Sequence, residues 1–238
     1  TYSKMYEVFR ILLASNFELT EDFISRLNSC SNLNSNNIEL TKDRKTPVDA
    51  VAVINSPGRF MKVRISPGLS FKFVMEPAVP RSVQHLYVSR HSRKYSVVYG
   101  HAKAIDPSID PRGVIAPCIQ PATVEPREFD KKLHLVSIIA SSLANLPGHR
   151  KRNEFVEILS KEYPEIIEHI FGRGRNEISS KTAALDDYMY SFAIENTVIY
   201  GYVTEKFIDC ILRETVPVYW GSERLEDFFP KESFVRLE

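Results

Sequence analysis

The sequence predicts an α/β protein built from two doubly wound domains, residues 1–125 and 126–238. Short branched apolar runs of strand length alternate with segments of helical period along the whole chain. A proline-dense stretch interrupts that alternation once: Asp106 to Pro126 holds five prolines, at 107, 111, 117, 121 and 126. Prolines at that density remove backbone donors and block helix, so the stretch reads as a linker. A length of 238 residues fits two modest domains or one large one.

In chain order, Val8 to Ala14 is a buried strand, and Thr20 to Leu27 a helix with Thr20 as its N-cap. Asn28 to Asn37, packed with Asn and Ser, is a loop. Three further strands follow: Val48 to Ile54, stopped by Ser56-Pro57-Gly58; Ser70 to Met75, stopped by Glu76-Pro77; and Tyr95 to Tyr99. Beyond the proline stretch, Leu133 to Ala140 is a strand. Arg152 to Ser160 is a helix with Phe155, Val156 and Leu159 on one face. Tyr190 to Ile194 is a strand, Glu205 to Arg213 a helix and Thr215 to Trp220 a strand.

Composition narrows the function classes. Hydrophobic residues at 43% and charged residues at 26% are ordinary for a globular chain that buries a core. A formal net charge of +1 gives no global positive field of the kind a nonspecific nucleic-acid binder uses. Cys30, Cys118 and Cys210 lie far apart without a Cys-x-x-Cys pair, so they read as thiols of a reducing compartment. No apolar run reaches membrane-spanning length, no signal segment opens the chain, and no Asn-x-Ser/Thr acceptor occurs.

Ligands of doubly wound folds sit at the carboxyl ends of strands, close to helix N-termini. The informative segment is Tyr188 to Gly221. A strand there runs into Glu195-Asn196, and after a loop Thr204 caps a helix whose first turn holds Glu205 and Lys206. Glu205 is favoured by the helix dipole, whereas Lys206 is disfavoured by it. A lysine beside free backbone N–H groups instead reinforces an anion site. A solvated helix start and a phosphate pocket both remain open at this point.

The same segment, YSFAIENT followed by YGYVTEKFIDCILRETVPVYWG, resembles the nucleotide-binding signature of the α-1,3/1,4-fucosyltransferases of glycosyltransferase family 10, with the VPVYWG ending nearest to bacterial members. The signature is ENS/T, a loop, Y-x-T-E-K, a helix and P-[VI]-x-x-G. A looser likeness covers roughly residues 130–238. The resemblance implies a GT-B fold, two Rossmann-like domains facing a central cleft, with the acceptor side in residues 1–125 and the GDP-sugar side in 126–238. It implies inverting transfer of L-fucose from GDP-β-L-fucose to a glycan hydroxyl. It assigns donor contacts to Asn196, Tyr202, Glu205 and Lys206, and an arginine on the diphosphate to Arg152 through its spacing to Phe155, with Arg150 as runner-up. Glu195 fits a strand-end structural role as well as a ligand role, and Lys181 matches a family lysine only loosely.

For the acceptor side, the resemblance implies a glutamate at a strand end as general base, and Phe71 to Pro77 has that layout with Glu76 at the corner. The family pattern has Glu-Ser-Pro there, and this chain has Glu-Pro. His85, His91 and His101 are the other base candidates, but their scatter gives no metal spacing. No acidic pair follows a strand in a way that would hold a divalent metal on a diphosphate. Asp186-Asp187 reads as a turn or cap, so no metal and no cofactor are expected. The expected partners are a GDP-sugar and an oligosaccharide or glycoconjugate acceptor, without nucleic acid. Peripheral membrane association through further segments stays open, and the donor half is expected to continue past Glu238. The expected location is the cytoplasm or inner-membrane face in a bacterium, and the lumenal side of the Golgi membrane in a eukaryote. A different GDP-sugar, and a non-catalytic nucleotide- or glycan-binding module, are the alternative readings.

Overall fold

A computed structural model of the chain describes residues 8–15, 18–21, 24, 25, 28, 37–55, 69–75, 95–101, 113–115, 123–128, 131–144 and 147–238. The chain divides into two compact units, Thr1–Ala116 and Pro117–Glu238. The division falls inside the proline-dense stretch.

The first unit holds a six-stranded parallel sheet in the order β2-β1-β3-β4-β5-β6. Its strands are β1 (Phe9–Ser15), β2 (Ile38–Thr41), β3 (Ala50–Ile54), β4 (Leu69–Val74), β5 (Val97–Gly100) and β6 (Gly113–Ile115). Strand β3, Ala-Val-Ala-Val-Ile, is buried at every position, as a central strand covered on both faces must be. Alternate residues feed two separate cores. Leu12, Val51, Val53 and Val98 pack on one side, and Leu13 and Ala52 pack on the other with Leu19 and Ile24. Ile24 N–H donates to Thr20 O at 3.1 Å, the first helical turn expected after Thr20.

The second unit holds a five-stranded parallel sheet in the order β11-β10-β9-β7-β8. Its elements are β7 (His134–Ile139), α1 (Pro147–Glu162), β8 (Ile170–Phe171), β9 (Tyr188–Ile194), α2 (Glu205–Leu212), β10 (Val216–Trp220) and β11 (Val235–Arg236). Helix α2 buries Phe207 and Cys210 against the sheet, where Phe207 meets the Tyr219 ring edge-on at 5.3 Å between centroids. Burying one such side chain contributes about 1.5–3 kcal/mol. Segment 123–128 is strapped to α2: Thr123 bonds Asp209, Arg213 donates to Glu125 O at 2.8 Å, and Arg127 N–H donates to Leu212 O at 3.0 Å.

Four strands go beyond the sequence expectation: β2, β6, β8 and β11. Strand β6 lies inside the proline stretch, where Gly113–Ile115 is proline-free and pairs in parallel with β5 as an edge strand. Helix α1 begins five residues earlier than expected, at Pro147. Proline is well tolerated at the first helical position, where its missing N–H would have had no intrahelical partner.

Candidate active site

The winding of the second sheet reverses between β7 and β9, because the chain passes from β7 to β8 on one side and then crosses to β9 on the other. The crevice beyond the carboxyl ends of such a pair is where open α/β sheets bind ligands. Helix α1 follows β7 and helix α2 follows β9, so both helix N-termini open onto this crevice.

Gly148 sets the approach of α1. A Cβ there would overlap the backbone carbonyl of Asn196, just past β9, so only glycine lets the helix start touch that loop. Arg152 lies one turn further on the same helix face. It is 6% exposed, and its NH1 donates to Asn196 Oδ1 at 3.2 Å. Burial lowers its pKa from the ordinary value, and the nearby Glu195 and Glu205 carboxylates raise it; a guanidinium stays a cation in such a setting. Its Nε is buried without a hydrogen-bond partner among the described residues. Arg150 in the same basic cluster is exposed, with NH1 donating to Ala144 O at 3.3 Å.

Glu195 directly follows β9 and is wholly buried. Its two oxygens accept from Thr204 N–H and from Thr204 Oγ1, both at 2.7 Å, and Lys206 Nζ stands 3.4 Å away. Burial raises the Glu195 pKa, with the Lys206 ammonium and the Thr204 bonds opposing. The Thr204 hydroxyl also accepts from Lys206 N at 3.4 Å and Lys206 Nζ at 3.0 Å, capping α2. Of the two roles left open for Glu195, this geometry is the structural one: the carboxylate fixes the start of α2. Gly221 makes room for it, since a Cβ there would stand 2.5 Å from Glu195 Cγ.

Glu205 faces two ammonium groups through Oε1, Lys206 Nζ at 3.5 Å and Lys181 Nζ at 3.6 Å. Burial pushes its pKa up, but Lys206 and Lys181, together with its own backbone N–H and the Thr204 hydroxyl, hold it below the usual carboxylate value. Its Oε2 is buried without a hydrogen-bond partner among the described residues. Arg152, Lys181, Glu205, Lys206 and Asp209 line one cavity of about 180 Å³ with Ser141. A second hollow of about 370 Å³ shares Arg152 and is bounded by Phe155, Ile194 and Trp220. The combination suits a ligand carrying both anionic oxygens, for Arg152 and Lys206, and hydroxyl donors, for Glu205.

Arg152, Asn196, Glu205 and Lys206 thus come together from positions spread over 54 residues. Tyr202 lies in the loop before α2 and is 1% exposed, its carbonyl accepting from Tyr219 OH at 3.2 Å, so its ring offers no open surface to the crevice. Glu76, His85 and His91 lie outside the described residues; His101 follows β5 and is wholly buried. Asp186 takes a bidentate bond from Arg213, at 2.7 and 2.6 Å, which gives it a structural partner. No cluster of acidic, histidine or cysteine side chains suited to a metal occurs among the described residues. Asp209 and Lys181 join the site beyond the residues expected from the sequence. A signal for Asp209 was present: an acid four residues after Glu205, on the apolar face of a short helix, needs a buried partner.

Residues 129–238 match the glycosyltransferase family 10 (fucosyltransferase) C-terminal domain. The C-terminal unit belongs to glycosyltransferase family 10. The chain is 38% identical over 104 residues to an α-(1,3)-fucosyltransferase, FucT, of Helicobacter pylori, a match covering 41% of this chain and 21% of that protein. It is 38% identical over 52 residues to an α-(1,4)-fucosyltransferase of Arabidopsis thaliana, covering 22% of this chain and 13% of that one. The matched region spans about a fifth or less of the length of these curated relatives. Solved structures of an α1,3-fucosyltransferase with GDP and with GDP-fucose superpose with TM-scores of 0.59 and 0.55 at 18% identity. Each alignment covers 99% of this chain, with 74% and 75% of the solved chains. The chain therefore has the GT-B fold of these structures, two Rossmann-like units each with a parallel sheet.

Proposed function

We propose that the chain is the transferase core of a fucosyltransferase: it moves L-fucose from GDP-β-L-fucose to a glycan hydroxyl with inversion, in one direct displacement. The observation that carries the reading is Arg152, a nine-tenths buried guanidinium with an unpartnered Nε, sharing one cavity with Lys206 and an unpartnered Glu205 oxygen. A buried cation is costly unless paired, so this one calls for an anion. Family membership and solved relatives bound to GDP and GDP-fucose support a nucleotide diphosphate in that role.

In the proposed reaction the acceptor oxygen attacks C1 of fucose, its proton passes to Glu76, and the C1–O bond to the β-phosphate breaks with its electrons leaving on GDP. Arg152 and Lys206 meet the charge that develops on the leaving diphosphate, and Glu205 accepts from the ribose hydroxyls. Asn196 holds Arg152 in line, and the buried Tyr202 anchors the loop that leads into α2. With two cations on the diphosphate, the reaction needs no metal.

A panel of GDP-sugars tested against glycan acceptors, in EDTA, examines this directly. The expected result is transfer from GDP-fucose, with a defined linkage and undiminished by chelation. Transfer only from another GDP-sugar would replace the donor. GDP binding without turnover of any donor would leave a binding module, and rescue by Mn²⁺ after EDTA would overturn the metal-free mechanism.

A further inference from the structure

Resting on the donor-site reading above, we propose that Lys181 is a positioning residue of that site: it keeps the Glu205 carboxylate ionised and aimed into the cavity, and Asp209 with Thr123 holds Lys181 there. Lys181 opens the tight turn Lys181–Ala184, which Ser180 caps by accepting from Thr182 N–H and which Ala184 and Leu185 anchor in the core. Its ammonium lies between two carboxylates one helical turn apart on α2, 2.7 Å from Asp209 Oδ2 and 3.6 Å from Glu205 Oε1.

The two carboxylates differ in what they already hold. Asp209 is 1% exposed and is fully engaged, accepting from Thr123 N–H at 2.7 Å, Thr123 Oγ1 at 2.6 Å and Lys181. Glu205 gives one oxygen to the ammonium groups and keeps the other, Oε2, without a partner among the described residues. Asp209 therefore serves as the anchor and Glu205 as the working end. Without Lys181, Glu205 and Asp209 would be like charges at i,i+4, which repel.

The charged groups around Glu205 are Lys181 and Lys206 in direct contact, with Arg152 and Glu195 at longer range and Asp209 behind Lys181. Burial raises the Glu205 pKa, and the two lysines, with its own backbone N–H and the Thr204 hydroxyl, bring it below the ordinary value. Removing Lys181 raises that pKa, and binding that needs the ionised carboxylate is then lost at a higher pH as the solution is acidified. A cation within about 4–6 Å typically lowers a carboxyl by 1–3 units, and Lys206 remains, so the expected displacement is about one pH unit.

The test compares GDP binding by calorimetry across pH 5–8 in the wild type, Lys181→Met and Lys181→Arg, with thermal melts of each. Lys181→Met should move the acid limb of GDP affinity up by about one unit, weaken binding about tenfold near the limb, and raise KM for GDP-fucose while kcat stays within about threefold. Lys181→Arg should restore the limb. If Lys181→Met does not fold, Lys181→Gln, which can still bond Asp209, carries the same expectation. A lowered melting temperature with an unmoved acid limb would reduce Lys181 to a structural tie and overturn the proposal. If the wild type itself binds no GDP at any pH, the donor-site reading falls and this one with it.

Discussion

Replacing Glu195 separates a structural carboxylate from a ligand with unusual clarity, because its three contacts are all internal. Glu195→Ala removes the acceptor for Thr204 N–H and Thr204 Oγ1, each at 2.7 Å, inside a site with no solvent exposure. Breaking a buried charged cluster by removing one member costs about 3–5 kcal/mol. Glu195→Gln keeps an oxygen for Thr204 N–H, and the Thr204 hydroxyl can rotate to accept from the new amide. Only the Lys206 ammonium at 3.4 Å then faces a donor, a loss of about 1.5 kcal/mol at the weak end of charge-assisted bonds. Trp220 is the only tryptophan in the sequence, and its carbonyl accepts from Glu195 N–H at 2.8 Å, so its fluorescence reports unfolding of this unit at the site of the change. With a urea slope of about 2 kcal/mol per molar, the alanine variant should lose roughly 1.5–2.5 M in midpoint and the glutamine variant about 0.7 M. An alanine variant whose midpoint stays within about 0.3 M of wild type would refute the view that this carboxylate holds the start of α2.

Other expectations follow from the same geometry. Lys206→Ala should weaken GDP binding by about 1.5–3 kcal/mol, roughly 10- to 150-fold by calorimetry, and unchanged affinity would remove Lys206 from the site. Gly148→Ala forces a Cβ into the Asn196 carbonyl, so it should lower stability by about 1–3 kcal/mol in denaturant melts; a neutral effect would mean that α1 does not approach β9 so closely. Glu76→Gln should cut kcat by roughly 10²–10⁴-fold while GDP affinity stays within a few-fold. Near-wild-type turnover in that variant would return the search for the base to His85, His91 and His101.

Much of the second unit was legible in the sequence, because its signals are local. Thr204 as cap, Glu205 and Lys206 in the first turn, and the apolar face of α2 all lie within nine residues. The start of α1 was not legible: Pro147-Gly148-His149-Arg150-Lys151 carries no apolar period, and its helical state depends on packing against Asn196. Strand β2, half-buried throughout, and the two-residue β8 and β11 are too short or too even in burial to announce themselves. The site's connections were hidden for another reason. Arg152 meets Asn196 across 44 residues, Lys181 meets Asp209 across 28, and Thr123 meets Asp209 across 86. Periodicity carries no information about pairings at such separations. The fold makes them by bringing the ends of β7 and β9 together.

The central claim, that Arg152 and its neighbours hold the diphosphate of a GDP-sugar, is tested most directly by titrating GDP into the wild type, Arg152→Met and Arg150→Met at one salt concentration. The wild type should bind in the micromolar range, about −8 kcal/mol at a Kd of 1 μM, with at least a tenfold loss in Arg152→Met. Arg150→Met should stay within about threefold, because that side chain is exposed and points to Ala144 O. Wild-type affinity in Arg152→Met, or a loss carried by Arg150→Met instead, would contradict it.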